Sequence, residues 1–330
     1  MHTQLHILAG LQAQSGLFLA SHHHVNTGYN KAWIRDTVYA TLAFEQCSPE
    51  RVQKAYHALF DVFLKHEYKI DFAILDKPEY SWQYIHARYH PDTFDEFHEE
   101  WGNKQNDAIG AFLFKVGELE KKGLKIIRAK HDERILQKLV YYLQSIKYWQ
   151  DADNGMWEEY EEVHASSIGA CLAGLEMIKD LVHVPEHLLT QGRKALDMLL
   201  PRESASKQTD LALLSLIYPY TIVSEKQAQA ILDNVENHLV RDNGVIRYVG
   251  DQYYNTGSEA EWHFGLSWLA LIYAQRGNTQ KAQHYFARAK QTLKEDSAPE
   301  LYLSNGQPNE NTPLAWSQSM FLTAFDYSAG

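Results

Sequence analysis

Apolar residues along this chain recur at helical rather than strand spacing. In 131–149, Ile135, Leu139, Leu143 and Ile146 recur at spacings of four and three and trace one stripe of a helix. In 166–182 the stripe is Ile168, Cys171, Leu172, Leu175, Ile178 and Leu181, with Ser166 or Ser167 placed to cap the N-terminus. In 279–293 it is Ala282, Phe286, Ala289 and Leu293; Gly277 ends the preceding helix and Thr279 is placed to cap this one. Weaker versions cover 4–15, 34–46, 50–66, 105–121, 185–199, 208–217, 225–238, 259–275 and 316–327, which makes about twelve helices. The segments between them, 21–33, 71–104, 150–165, 241–258 and 294–315, are rich in Gly, Asn, Asp and aromatic residues. Strand-like alternation is confined to short stretches near 243–249.

No low-complexity or Pro/Ser-rich linker interrupts the pattern, so residues 1–330 read as a single all-α domain. Two arrangements of so many helices compete, a closed barrel of helical hairpins and an open solenoid. Segment 265–290 looks like one repeat of the tetratricopeptide type, but it occurs once, and a solenoid needs it at a fixed period. A barrel gathers long loops at one end, where they form a cleft, and the polar-aromatic loops here favour it.

Charge narrows the ligand. Lys and Arg total 31 and Asp and Glu 42, a net charge of −11. Nucleic acid and anionic membranes call for a basic face, so neither is an expected partner. No apolar run approaches the roughly 20 residues of a spanning helix, and no basic segment precedes the apolar N-terminal stretch as in a secretion signal. A cytoplasmic location is the expectation. A neutral ligand fits best, and 8 Trp and 20 Tyr supply rings that can pack a core or stack on the C–H faces of sugars. Cys47 and Cys171 lack metal-ligand spacing; they could pair as a disulfide, but read better as buried free thiols in a reducing compartment. His22-His23-His24 reads as a polar loop, because three adjacent side chains cannot all face one ion. With no GxGxxG, P-loop or GxSxG motif, no cofactor or metal is expected.

Four loop segments concentrate chemistry. Tyr29-Asn-Lys-Ala-Trp33-Ile-Arg35-Asp36 places a planar donor fork beside a carboxylate at a helix start, a pair able to hold two vicinal sugar hydroxyls or to serve as a structural ion pair and first-turn residue. Trp101-Gly102-Asn-Lys-Gln105-Asn-Asp107 joins an aromatic, a close-approach glycine and hydrogen-bonding side chains, or forms a helix N-cap. In Asp153-Asn-Gly155-Met-Trp157-Glu158-Glu159-Tyr-Glu161-Glu162, adjacent carboxylates point in different directions, so Glu158 and Glu159 can take different roles. A carboxylate desolvated beside Trp157 rises toward the pKa of a general acid, and the plainer alternative is a solvated acidic loop. Segment 297–317 adds Glu300. Glycoside hydrolysis needs two carboxyl groups, and Glu158 with Glu300 is a possible pair.

Taken together and in order, these motifs resemble the family 15 glycoside hydrolases, the glucoamylase family, and the related domain of the phosphorylase kinase α and β regulatory subunits. The resemblance spans about 16–325 and includes Arg247-Tyr248, Asp251-x-Tyr253, Pro299-Glu300-x-Tyr302 and Pro313-Leu-x-Trp316-Ser317. It implies an (α/α)6 barrel with Glu158 as general acid and Glu300 as general base. Arg35 and Asp36 would grip the terminal sugar, packed by Tyr29 and Trp33, with Trp157 beside the acid. Trp101 and Gln105 would line the next part of the cleft, and Glu159 and Arg247 would contact sugar further on. The implied activity is inverting release of β-glucose from the non-reducing end of α-gluco-oligosaccharides; the alternative is a non-catalytic glucan-binding or regulatory protein of the kinase type. Gly155 and Leu301 depart from the family pattern, standing where fungal glucoamylases carry an acidic residue and where a glutamine commonly follows the base. Several loops look short, and neither a separate β-sandwich nor a starch-binding domain is recognisable. A short or soluble oligosaccharide is therefore the expected substrate. The spacing around 101–167 is closest to the kinase branch.

Overall fold

The computed structural model describes residues 2–99 and 101–328. In chain order its α-helices are α1 (His2–Gly10), α2 (Ile34–Thr41), α3 (Pro49–Lys65), α4 (Glu67–Leu75), α5 (Asn106–Lys121), α6 (Lys130–Ile146), α7 (Ala165–Ile178), α8 (Glu186–Leu199), α9 (Glu225–His238), α10 (His263–Gln275), α11 (Thr279–Gln291) and α12 (Ala315–Ser328). Tighter 3-10 turns occupy Leu42–Phe44, Ser81–Gln83 and Leu211–Leu216.

Six segments form an inner ring. Helix α2 packs on α5, α5 on α7, α7 on the Leu211–Leu216 turn, that turn on α10, α10 on α12, and α12 back on α2. These segments are buried all round: every residue of α2 is buried, as is α10 from His263 to Tyr273. The outer helices are amphipathic and lay one apolar face on the ring. Helix α8 packs on α7, α9 on the Leu211–Leu216 turn, α11 on α10 and α12, α1 on α12, and α3 on α2 and α6. The result is an (α/α)6 barrel. Ring closure excludes the solenoid, and segment 265–290 is the α10–α11 hairpin of the barrel.

The structure departs from the periodicity in instructive places. The fourth inner position, 208–217, is a 3-10 turn: the Asp210 side chain accepts from the Ala212 N–H, and the segment stops short of Pro219. Helix α4 lies across the start of the segment read as the 71–104 loop. Its pattern is mixed, with Lys69 buried beside Ile70 and Ala73 while Tyr68, Phe72 and Leu75 are exposed. Neither Ser166 nor Ser167 caps α7; Ser166 instead donates through N–H and Oγ to Glu203, and Asn278 rather than Thr279 caps α11. The strand pairs are β1 (Ala32–Trp33) with β2 (Arg88–Tyr89) and β3 (Glu261–Trp262) with β4 (Leu301–Tyr302), both antiparallel. The expected 243–249 stretch contributes only isolated bridges from Val245 to Val240 and Trp262. Both cysteines are free thiols, Cys171 buried as expected and Cys47 exposed. No described helix is long and apolar enough to cross a membrane.

The starts of the inner segments meet at one end. Strands β1 and β3 run directly into α2 and α10, and their partners β2 and β4 tie the loops over that mouth. Asp153 joins two further starts, accepting from the Asn106 N–H of α5 at 2.8 Å and from Ser167 of α7 at 2.9 Å. Helix N-termini carry partial positive charge, so the mouth favours carboxylates.

Candidate active site

The mouth holds a small pocket, with a cavity volume of about 70 Å³. Tyr29, Trp33, Arg35, Asp36, Trp157, Glu158, Arg247 and Glu300 line it, together with Met156, Tyr253, Trp262 and Trp316. The loops before α2, α7 and α12 therefore deliver most of the expected residues to one cavity.

Glu158 reaches the pocket through an unusual backbone. Its φ is 64°, in the left-handed region, which costs a non-glycine residue on the order of 1 kcal/mol. Asn154 holds the turn: its Nδ2 donates to the Glu159 carbonyl at 2.6 Å, its Oδ1 accepts from the Lys104 N–H, and its carbonyl accepts from the Glu159 N–H. A β-carbon on Gly102 would lie 2.6 Å from the Glu158 carbonyl oxygen, the close approach expected of that glycine. Gly155, at φ 62°, lies under the ring of His164. A β-carbon there would lie 2.8 Å from the ring's Cδ2, so a larger side chain does not fit under His164. Burial disfavours the charged form of His164, but its pairing with Glu203 at 3.2 Å outweighs this and raises the pKa to about 9.

Electrostatics separates the two adjacent glutamates. Burial pushes Glu158 up to about 7, opposed by Arg35, whose Nη2 donates to Oε1 at 3.2 Å. Its side chain keeps 21% exposure, toward the pocket. Burial also acts on Glu159, but Arg247, Lys207 and the Tyr248 hydroxyl donate to it at 2.7–2.8 Å and hold it below the usual carboxylate range. Glu158 is thus kept protonatable at the cavity, and Glu159 is a fixed anion that orients Arg247.

Glu300 lines the same pocket and is fully buried. Asn309 and Asn311 donate to its Oε2, and the Tyr253 hydroxyl donates to Oε1 at 3.3 Å. Burial raises its pKa against these hydrogen bonds. The hydroxyls of Tyr253 and Tyr29 meet at 2.9 Å, and the Tyr29 phenol is raised well above its ordinary value by burial and by the charges of both Glu300 and Glu158.

The remaining expected residues brace the wall. Arg35 donates to Gln105 at 2.9 Å, to Asp107 at 3.0 Å and to Glu158, leaving its Nε–H without a protein acceptor among the described residues. Asp36 lines the pocket, and burial raises it to about 6 against the pull of Arg35. Gln105 spends its amide on Arg35 and on the Gly102 carbonyl, and stands outside the pocket lining. Trp101 also stands outside it, edge-on to Trp33 with centroids 5.9 Å apart and with Arg88 over its face. Glu159 lines a separate groove with Tyr160, Lys207 and Tyr248. Sequence reasoning did not single out Tyr253, Trp262, Trp316, Met156, Asn309 or Asn311. Tyr253 and Trp316 lay within the quoted motifs. Trp262 carried no signal that sets it apart from a core tryptophan.

Residues 4–291 match the sequence model of the glycosyl hydrolases family 15. The chain belongs to that family. Solved structures similar to this family 15 barrel include a glycosidase, in a glutamate-to-alanine variant in complex with glucose, at TM-score 0.84 and 20% identity over 99% of this chain and 96% of that one. Hormoconis resinae glucoamylase aligns at TM-score 0.71 and 15% identity, covering 100% of this chain and 72% of the other. Curated relatives include the probable phosphorylase b kinase regulatory subunit alpha of Drosophila melanogaster, 26% identical over 96% of this chain and 31% of that protein. The rabbit (Oryctolagus cuniculus) skeletal muscle subunit alpha is 25% identical over 88% of this chain and 30% of its own length. The chain thus spans under a third of the curated relatives it matches.

Proposed function

We propose that this family 15 barrel is an exo-acting, inverting glycoside hydrolase that releases β-glucose from the non-reducing ends of α-gluco-oligosaccharides. The observation that carries the reading is Glu158: a carboxyl open to an aromatic pocket, raised to about 7, facing the cavity that Glu300 also lines. A general acid works best with a pKa near the operating pH. Glu158 gives its proton to the glycosidic oxygen, and the carboxylate that remains is balanced by Arg35 at 3.2 Å. Glu300 takes a proton from a water that attacks the anomeric carbon from the opposite face. That geometry needs roughly 6.5–9.5 Å between the carboxyl groups. Trp33, Trp157, Trp262 and Trp316 wall the pocket, exclude bulk water and strengthen the charge interactions within. Arg35, Asp36 and Tyr29 hold the terminal sugar.

The experiment is incubation of the purified protein with maltotetraose, followed by NMR of the anomeric protons from the first minutes. Early β-glucose is expected. Early α-glucose would discard the inverting mechanism.

The enclosure of Glu300 favours a second reading, a barrel that binds α-glucan without cleaving it. Both oxygens of that carboxylate accept from protein donors, and the curated relatives are regulatory subunits. Saturable maltotetraose binding with no glucose formed would select it.

A further inference from the structure

At the 3-10 turn Ser81–Gln83, Tyr80 just before it and Trp82 within it hold two large rings side by side in solvent. Tyr80 is 59% and Trp82 67% exposed. Their rings lie within 8° of parallel with centroids 6.2 Å apart. Parallel rings at that separation are offset, which leaves ring face open to solvent on both.

The backbone that presents them is braced. Gln83 Oε1 accepts from the N–H groups of Glu79 and Tyr80, at 2.9 and 2.8 Å. The Gln83 and Tyr84 N–H groups bond to the Tyr80 and Ser81 carbonyls, and Pro78 is buried at the base. A braced turn loses little entropy on binding, the general advantage of a preorganised site.

The turn is also tied to the cleft. Asn103 Nδ2 donates to the Ser81 carbonyl at 3.0 Å. Asn103 stands two residues past Trp101, whose ring meets Trp33 on the pocket wall. The exposed pair is therefore anchored, through Asn103, to the chain segment that carries Trp101. Polar groups are interleaved with the rings: Ser81 separates them, Glu79 flanks them, and all four residues are exposed. Ring faces edged by hydroxyl and carboxylate match a pyranose, which is apolar on its C–H faces and polar at its rim.

We propose that Tyr80 and Trp82 form a second α-glucan-binding platform outside the pocket, stacking on sugar units of a chain longer than the pocket holds. The α-glucan class of the ligand rests on the function proposed above; the stacking surface itself does not.

The test is native electrophoresis in gels cast with and without glycogen, using the full chain, with maltoheptaose titrations by calorimetry beside it. The wild type and the pocket variant Glu158→Gln are expected to be retarded by glycogen. The double variant Tyr80→Ala/Trp82→Ala is expected to migrate as in the plain gel and to bind maltoheptaose about tenfold more weakly, the order of one lost ring contact. Its melting curve and its handling of maltotriose are expected to match the wild type. Retention in the wild type and Glu158→Gln but not in the double variant supports the platform even where no glucose is released, so failure of the catalytic reading is distinguishable. Equal retardation of wild type and double variant overturns the proposal. So does a wild type that glycogen does not retard. A double variant that changes sedimentation but not glucan binding would make this surface a protein contact and overturns it as well, since Tyr68, Phe72 and Leu75 of α4 are exposed on the adjoining helix.

Discussion

At the far end of the barrel, Lys115 is buried between Glu45 and Glu118, and Lys122 reaches both carboxylates at 3.0 and 3.1 Å. At the mouth, Glu158 and Glu300 share a pocket where burial raises both. The two ends bury charge of the same kind and treat it oppositely. The far end receives the C-terminal parts of α2, α5, α10 and α12, where partial negative charge accumulates, and lysines neutralise it. Against burial, Lys115 holds Glu118 below the ordinary carboxylate range. At the mouth the cation bonded to Glu158 is shared, because Arg35 also serves Asp107 and Gln105. Full pairing gives a fixed structural cluster; incomplete pairing leaves an acid whose proton can move.

The largest expected effect breaks the mouth. Glu158→Gln and Glu300→Gln should each lower kcat on maltotetraose by about 10²–10⁴-fold, the usual worth of a general acid or base, with little change in sugar affinity measured by calorimetry. Full activity in Glu300→Gln would remove it from the mechanism. In the wild type, kcat/KM should fall as pH rises through about 7, where Glu158 loses its proton. The same shift has a stability sign. A carboxyl raised from 4.5 to about 7 on folding stabilises the fold below 4.5, and that contribution is lost as pH rises through 7. Stability of the wild type relative to Glu158→Gln should therefore decline across that window in pH-dependent urea titrations.

Next in size is the far end. Lys115→Met leaves Glu45 and Glu118 with Lys122 alone, and removing one partner of a buried cluster costs about 3 kcal/mol. Urea unfolding should show that loss, while kcat per folded molecule stays at the wild-type value. The pH sign is the reverse of the mouth's. Glu118 is depressed on folding, so its contribution is present above the ordinary value of 4.5 and lost as pH falls through the lower folded pKa. The gap between wild type and Lys115→Met should narrow in acid. A gap that widens in acid would mean that Lys115 does not set the ionisation of Glu118.

These ends were not equally legible in the sequence. Helices α6, α7 and α11 read clearly from their single apolar stripes, whereas α10 read only weakly, because it is apolar on nearly all sides and shows no single stripe. Helix α4 did not, because large apolar side chains fall on both faces: Ile70 and Ala73 are buried with Lys69, and Tyr68, Phe72 and Leu75 are exposed. Glu158 and Glu300 were legible through the order of flanking motifs, as were Tyr29, Trp33, Arg35, Asp36, Trp157 and Arg247. What separates Glu158 from Glu159 was legible only as a possibility, since it depends on Lys207, Tyr248 and Arg247 arriving from distant loops. The braces on Glu300 were hidden for another reason: Asn309 and Asn311 sit in a Gly/Asn/Pro loop, where asparagine is expected for turn geometry alone. The Lys115 cluster joins positions 45, 115, 118 and 122, and only the i, i+3 and i, i+4 pairs within α5 can be read from spacing.

The smallest expected effect compares one glycine at each end. Gly155 at the mouth and Gly123 beyond the end of α5 both have positive φ, 62° and 85°. A β-carbon at Gly123 meets nothing within 4 Å, whereas at Gly155 it would lie 2.8 Å from His164 Cδ2. Gly123→Ala should therefore cost only the left-handed penalty, about 1 kcal/mol, with activity unchanged. Gly155→Ala adds crowding against a ring that Glu203 holds in place, for a total of about 2–3 kcal/mol. It should also lower kcat, because the displaced turn carries Glu158. Adding His164→Ala to Gly155→Ala should return the crowding share while forfeiting the ion pair with Glu203, so the double variant separates the two contributions when set against His164→Ala alone. Thermal melts and maltotetraose kinetics on the four proteins decide the matter. If Gly155→Ala proves no costlier than Gly123→Ala and equally active, the ring of His164 does not crowd the turn beneath Glu158, and the two glycines differ in nothing but their surroundings.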